Sequence, residues 1–335
     1  MPDASAPMSL PSPLVPGARV LVVAPSSAPK SDDAYRAGLA ALRDRDLDVR
    51  TIRETLAPHG YLAGPDDERL AEFNTALRDP DADAIFCARG GVGALRLLDG
   101  LDYAAARRRP KLLVGYSDIT ALHLALYARA GWRGLSGPMV AVEWAEGTEN
   151  AHDAASEALF WHLARGGVVD DLTGPQGERL VGVVPGEAEG VLVGGNLSLV
   201  ARLVGTPYLP DLRGAILFLE EVGEEPYRLD GLLAQLHLAG VLDGLGGLVL
   251  GTLTAVTPTQ THFLTQEAVL AHYTERLACP VATGLAYGHH PSKNTMPVGV
   301  RARLTATEAG GAARLSVLEP VTRPVAPPPT STPAA

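Results

Sequence analysis

KLLVGYSDITALHLALYARAG, residues 111–131, holds a strand and a helix with almost nothing between them. Leu112, Leu113 and Val114 form the short apolar run of a buried strand, and Ile119, Leu122, Leu126 and Ala130 then recur at helical spacing. Only Gly115, Tyr116, Ser117 and Asp118 separate the two. So tight a turn at a strand's carboxyl end lifts a side chain out of the sheet. It also sets that side chain beside the free N–H groups of a helix N-terminus, which favour developing negative charge. Ser117 therefore has the placement of a nucleophile elbow. Ser117 and Asp118 are equally ordinary helix caps, and the fifth residue of the usual G-x-S-x-G pattern is here Ile119. On this stretch alone both readings stand.

The segments on either side carry the same βα rhythm. RVLVVAPSSAP, residues 19–29, is a strand running into a small-residue loop. Ser31 and Asp32 cap a helical stretch to about Arg45, and DLDVRTI follows as a second strand, which makes a βαβ opening. Pro65 and the acidic run Asp66, Asp67, Glu68 start another helix, with Leu70, Phe73 and Leu77 as its buried stripe. DAIFCA, residues 83–88, is a strand that ends in Arg89, Gly90, Gly91, Val92 and Gly93. These glycines could present N–H groups to an oxyanion or make a tight turn. They are not a Walker loop, because no G-K-[ST] follows. In an open parallel sheet the loops at strand carboxyl ends gather at one edge, so this loop and Ser117 can be neighbours.

From about residue 143 to 190 the periodicity weakens. Glu143, Glu146, Glu149 and the PQGE turn point to a connection or flap between two domains. A second unit begins near Glu187, where a strand, a Gly194-Gly195-Asn196 turn and a helix repeat the small-turn theme. AILFLEE, residues 215–221, is a buried strand ending in Glu220 and Glu221. A helix from about Tyr227 to Ala239 and a strand at 245–255 follow. The proline-rich end cannot bury enough surface to fold.

Composition narrows the function. The chain has 335 residues, 46% hydrophobic and 20% charged, which is ordinary for a globular enzyme of two domains. A net charge of −10 argues against nucleic acid or an anionic membrane as a partner held by bulk electrostatics. Cys87 and Cys279 have no metal-ligand spacing and read as reduced core residues. The first thirteen residues lack a basic segment followed by an apolar one, and the apolar tract 239–256 carries Asp243 and glycines. A cytoplasmic protein is expected.

A serine nucleophile needs a base, and the base needs a group to hold its tautomer. His123 and His237 lie in helical patterns and read as packing or surface residues. His289 and His290 follow Gly288 in a loop after VATGLAY. Strand alternation sends Glu220 and Glu221 to opposite faces, so one of them can face the site.

In combination, several segments resemble the LD-carboxypeptidase family, the murein tetrapeptide carboxypeptidases whose relatives include microcin C immunity peptidases. They are VVAPSS, HGYLAG with DAIFCARGG, GYSD, GGNLSL, ILFLEEVGEEPYRLD, and GHH with a following PVG, spread over about residues 14–300. The resemblance implies a serine peptidase with Ser117, Glu220 and His289 as its triad; Glu221 and His290 are the nearest rivals. It implies oxyanion donors on the Gly90-Gly91 loop and at the Asp118 N–H. It further implies a small peptide substrate, no metal, no cofactor and a homodimer. One departure is Ser136-Gly137-Pro138, where relatives often carry His-Gly-Pro, and it touches the pocket wall. Two alternatives remain: a peptidase acting on a peptidyl-nucleotide toxin, and a non-catalytic two-domain binder of small ligands. Arg89, Arg228 and Lys293 are candidates for reading a terminal carboxylate, with solvated surface charge expected of each.

The expected architecture is α/β: an N-terminal flavodoxin-like parallel sheet flanked by helices, and a second, smaller β-rich α/β domain. The expected divisions are 1–13 disordered tail, 14–145 nucleophile domain, 146–186 linker or flap, 187–320 C-terminal domain with the glutamate and histidine, and 321–335 disordered tail.

Overall fold

A computed structural model describes residues 9–53, 57–145, 147, 151–254, 264–290 and 292–325. The first half alternates β1 (Arg19–Val23), α1 (Asp32–Arg43), β2 (Asp48–Thr51), α2 (Asp66–Arg78), β3 (Ala84–Cys87), α3 (Tyr103–Arg108), β4 (Leu112–Val114), α4 (Thr120–Ala130) and β5 (Gly134–Ser136). The second half runs α5 (Ala154–Ala164), β6 (Val181–Val184), β7 (Gly186–Asn196), α6 (Leu197–Leu203), β8 (Ile216–Val222), α7 (Pro226–Leu238), β9 (Gly247–Thr254), α8 (Gln266–Thr274), β10 (Val281–Thr283), β11 (Met296–Val298), β12 (Val300–Ala306) and β13 (Ala313–Val317).

The elements form where local chemistry favours them. Ser31 caps α1 by accepting from the Asp33 and Ala34 amides, and acidic residues fill the first turns of α1 and α2. Gly131, in the left-handed region at φ 67°, closes α4. The strands β1, β3 and β4 are almost wholly buried, as expected of parallel strands covered on both faces.

Two sheets result. The first has the order β2-β1-β3-β4-β5-β11, with β1 to β5 parallel, the flavodoxin-like arrangement. The second has the order β13-β12-β7-β8-β9-β10-β6, parallel from β7 to β10 and antiparallel at its ends. It curls so far that Val181 of β6 bridges Ala312 beside β13. The two-domain α/β expectation holds.

The second half also completes the first sheet. β11 pairs antiparallel with β5, Met296 opposite Ser136. Gly299, at φ +82°, then turns the chain into β12 of the second sheet. A few residues thus stitch both sheets together. The Asn196 amide at the end of β7 also crosses the junction, donating to Thr120 Oγ1 at the start of α4 at 3.0 Å.

Several expectations need correction. The Gly194-Gly195-Asn196 segment is not a turn but the end of β7. Its glycines are required by close approach: a Cβ on Gly194 would fall 1.9 Å from the Phe218 carbonyl oxygen, and one on Gly195 2.3 Å from Thr120 Oγ1. The expected linker contains α5 and β6. Glu143 of the supposed flap is buried, while Glu146 and Glu149 lie outside the described residues. The expected tails are anchored where described: the Arg323 amide donates to the Pro11 carbonyl, and Val321 and Thr322 are buried. Residues 1–8 and 326–335 lie outside the described residues. Cys87 and Cys279 are buried and free, and no described helix is long and apolar enough to cross a membrane.

His123 is buried in α4 and hydrogen-bonds through Nε2 to the Gly115 carbonyl at 2.9 Å, just ahead of the strand-to-helix turn. Burial pushes its pKa down to about 4. The unfolded chain, with an ordinary value near 6.5, therefore binds this proton more readily, so stability falls as pH drops from about 6.5 toward 4. Urea midpoints should show a loss of roughly 3 kcal/mol from this residue across that window. In His123→Asn the acid limb should flatten by a comparable amount; an unchanged limb would contradict a buried neutral imidazole.

Candidate active site

The carboxyl ends of β1, β3 and β4 lie side by side, and their loops form one wall of a cleft of about 360 Å³. Arg89, Gly90, Tyr116, Ser117, His289 and Lys293 are among its lining residues. The strand-to-helix turn is a single 3-10 turn, Ser117–Ile119, ahead of α4. Ser117 itself sits at φ +64°. A non-glycine residue in that region costs about 1–3 kcal/mol and persists only where its surroundings hold it.

Those surroundings can be named. Asp118 is buried, and its carboxylate accepts from Ser26 Oγ at 2.6 Å and from the Ala94 amide at 2.8 Å. One side chain thus ties the β1 loop, the glycine loop and the elbow together. Burial pushes its carboxyl above the usual range, against the pull of both hydrogen bonds. Arg69, fully buried in α2, donates to the carbonyls of Gly64, Pro25 and Gly93 and braces the same loops from behind.

The glycine loop presses against the serine. A Cβ on Gly90 would stand 3.0 Å from Ser117 Cβ and 3.3 Å from its Oγ. Gly91, at φ +104°, has Ser27 Oγ where a Cβ would be, at 2.4 Å. Ser27 Oγ in turn accepts from the Val92 amide at 3.1 Å. Among the described residues no acceptor is found for the amides of Gly90, Gly91 and Asp118.

The second sheet supplies the opposite wall. His289 Nε2 is 3.0 Å from Ser117 Oγ, and its Nδ1 is 2.8 Å from Glu220 Oε2. Glu220 is fully buried at the end of β8, and its other oxygen accepts from Asn196 Nδ2 at 3.2 Å. Glu221, also buried, faces away: it accepts from the Ser198 amide at the start of α6, from Asn196 Nδ2 and from the Val222 amide. The register of β8 against β9 slips between Leu219 and Glu221, where the two carboxylates part. His290 lines the cleft, but none of its contacts reaches Ser117; burial and the neighbouring Lys293 lower its pKa.

The structure therefore brings Ser117, Glu220, His289, Gly90, Gly91 and Asp118 to one place. A hydroxyl bonded to an imidazole, itself oriented by a buried carboxylate, can serve as an activated nucleophile beside free amides. No described cluster of His, Cys, Asp and Glu has the make-up of a metal site.

Other residues were missed or misread from sequence. Lys293, expected on the surface, is buried and paired with buried Glu143 at 2.7 Å. Tyr116 also donates to Glu143, at 2.8 Å, and the Glu143 carboxylate accepts from the Met139 amide at 2.9 Å. Acidic residues are so rarely buried that nothing in the sequence set Glu143 apart as an interior group. Arg89 is half-buried and donates to the Ala28 carbonyl; Arg228 is exposed beside Glu224. Ser136 of the departing Ser-Gly-Pro segment is buried and bonded to Tyr287 OH at 2.6 Å.

Comparison with known proteins places these features in a family. The description LD-carboxypeptidase N-terminal domain matches residues 20–137, and LD-carboxypeptidase C-terminal domain matches residues 189–304. A Bacillus subtilis protein named "Probable murein peptide carboxypeptidase" is 37% identical over 295 residues, covering 87% of this chain and 90% of its own. The solved muramoyltetrapeptide carboxypeptidase from Oxalobacter formigenes superimposes with TM-score 0.77 at 31% identity, over 89% of this chain and 98% of that one. MccF solved with glutamyl sulfamoyl guanosine shares the fold, with TM-score 0.80 at 24% identity over 93% and 98% of the two chains.

The strained serine makes its own prediction. Ser117→Gly should unfold at higher denaturant than Ser117→Ala, by about 1 kcal/mol, because glycine relieves the left-handed strain while losing part of that gain to unfolded-chain entropy. Equal midpoints for the two variants would contradict a strained backbone at this position.

Proposed function

Because this chain belongs to the LD-carboxypeptidase family, we propose that it is a serine carboxypeptidase that releases the terminal D-alanine from murein tetrapeptide in cell-wall recycling. The observation that carries the proposal is the hydrogen-bonded line from Ser117 through His289 to Glu220.

The chemistry follows from that line. Ser117 Oγ attacks the scissile carbonyl carbon while His289 Nε2 takes the hydroxyl proton, and Glu220 holds the imidazole and offsets its positive charge. The oxyanion is received by amides of the Gly90-Gly91 loop and Asp118; one such donor is typically worth about 3 kcal/mol of barrier. The C–N bond then breaks, and His289 delivers its proton to the leaving amine. Water then adds to the acyl carbon while His289 takes its proton; the bond from that carbon to Ser117 Oγ breaks, the shortened peptide leaves as the acid, and His289 returns the proton to Oγ. The bond cut joins an L-centre of a diamino acid to a D-residue.

Ser117→Ala should reduce kcat on murein tetrapeptide by at least about 10⁴-fold with folding intact, followed by chromatography of released D-alanine. Retained turnover would remove the serine mechanism. Running a peptidyl sulfamoyl nucleotide in parallel separates substrates: faster hydrolysis of the nucleotide conjugate would replace murein peptide as the substrate, and turnover of neither would leave a ligand-binding protein.

A further inference from the structure

The site as described assigns no residue to the substrate's free terminal carboxylate, which an exopeptidase must read. We propose that Lys293 is the specificity-determining residue that binds it, an inference that rests on the carboxypeptidase reading above.

The direction of the reaction limits where that carboxylate can lie. His289 must protonate the leaving nitrogen, so the departing residue occupies the His289 side of Ser117, and the acyl part extends the other way. Among the described residues, three cationic side chains line the cleft: Lys30, Arg89 and Lys293. Arg89 adjoins Gly90 on the oxyanion side and is tied to the Ala28 carbonyl, and Lys30 is exposed. Lys293 follows His289 by four positions. Its ammonium lies 4.0 Å from the centre of the Tyr116 ring, which is in turn 5.2 Å from the His289 ring. A departing residue needs about 3.5 Å of its own length and about 3 Å of hydrogen bond at each end to join the imidazole to a cation. Together those contacts place the ammonium at most about 9 Å from the imidazole, within the span of one departing residue.

The surroundings of Lys293 look built to present a charge. Its side chain is 8% exposed, yet it lines the cleft. An ammonium has three donors, and Glu143 takes one, leaving two for a substrate. Glu143 is the one carboxylate among the described residues lining the cleft, and Tyr116 and the Met139 amide already engage it. A buried lysine held this way loses little freedom on binding, and Lys30, Arg89 and Lys293 against the single carboxylate of Glu143 make the described lining locally cationic although the chain's net charge is −10.

The test compares murein tetrapeptide with the same peptide ending in a carboxamide. The wild-type protein should prefer the free acid, and Lys293→Met should lower the acid-to-amide ratio of kcat/KM by roughly 10- to 100-fold, with the loss concentrated in KM. Lys293→Met with Glu143→Gln removes both charges and guards against a fold lost to an unpaired buried carboxylate. Equal use of acid and amide by the wild-type protein overturns the assignment without any variant, as does a ratio unchanged in the folded variants. Turnover of neither peptide by the wild-type protein overturns the carboxypeptidase reading and this inference with it.

Discussion

The imidazole of His289 joins two sheets: one nitrogen meets a serine at the end of β4, the other a glutamate at the end of β8. Neither sheet alone holds a nucleophile together with its base. Much of the remaining architecture keeps that contact in place. β11 adds a strand to the first sheet and β12 one to the second, with only Gly299 between them. Gly195 has no side chain because Thr120 fills its space, and Arg133 is paired with Glu319 across the chain at 2.6 Å. Glu220 is a fully buried carboxylate, a costly thing unless partnered, and His289 and Asn196 are its partners. Separating the sheets would leave the Ser117 hydroxyl without its imidazole.

A second constraint lies within the first sheet. Ser117 holds a left-handed conformation, and its neighbour Asp118 bonds two other loops. The strain and its restraint are thus adjacent in the chain. Arg69, fully inside the protein, satisfies carbonyls on the β1 loop and the glycine loop that no strand partner reaches. Buried polar groups here fix loop positions to within hydrogen-bond tolerance, which apolar packing alone does less sharply.

Much of this was legible in the sequence where local chemistry decides the outcome. Runs such as RVLVV and LLV are strands because they are buried on both faces, and Ser31 and Gly131 mark helix ends by mechanisms a few residues long. Ser117 stood out because strand and helix periodicities left room only for a turn. The glycines at 194 and 195 misled because a turn and a close approach leave the same signature, and only Phe218 and Thr120, distant in sequence, distinguish them. Lys293 and Glu143 were illegible as a pair because they are far apart in the chain and each alone resembles surface charge. The choice of Glu220 over Glu221 rests on family resemblance; physically, alternation along β8 turns Glu220 to His289 and Glu221 to the Ser198 amide.

The central claim is that the Ser117 hydroxyl is activated by His289 for attack on an acyl centre. It is tested most directly by treating the native protein with a fluorophosphonate and mapping the adduct by mass spectrometry, alongside His289→Ala. A single stoichiometric adduct on Ser117, formed rapidly in the wild-type protein and slowed at least about 100-fold in the variant, is the predicted result. An unlabelled Ser117, or labelling at the same rate without the imidazole, would contradict it.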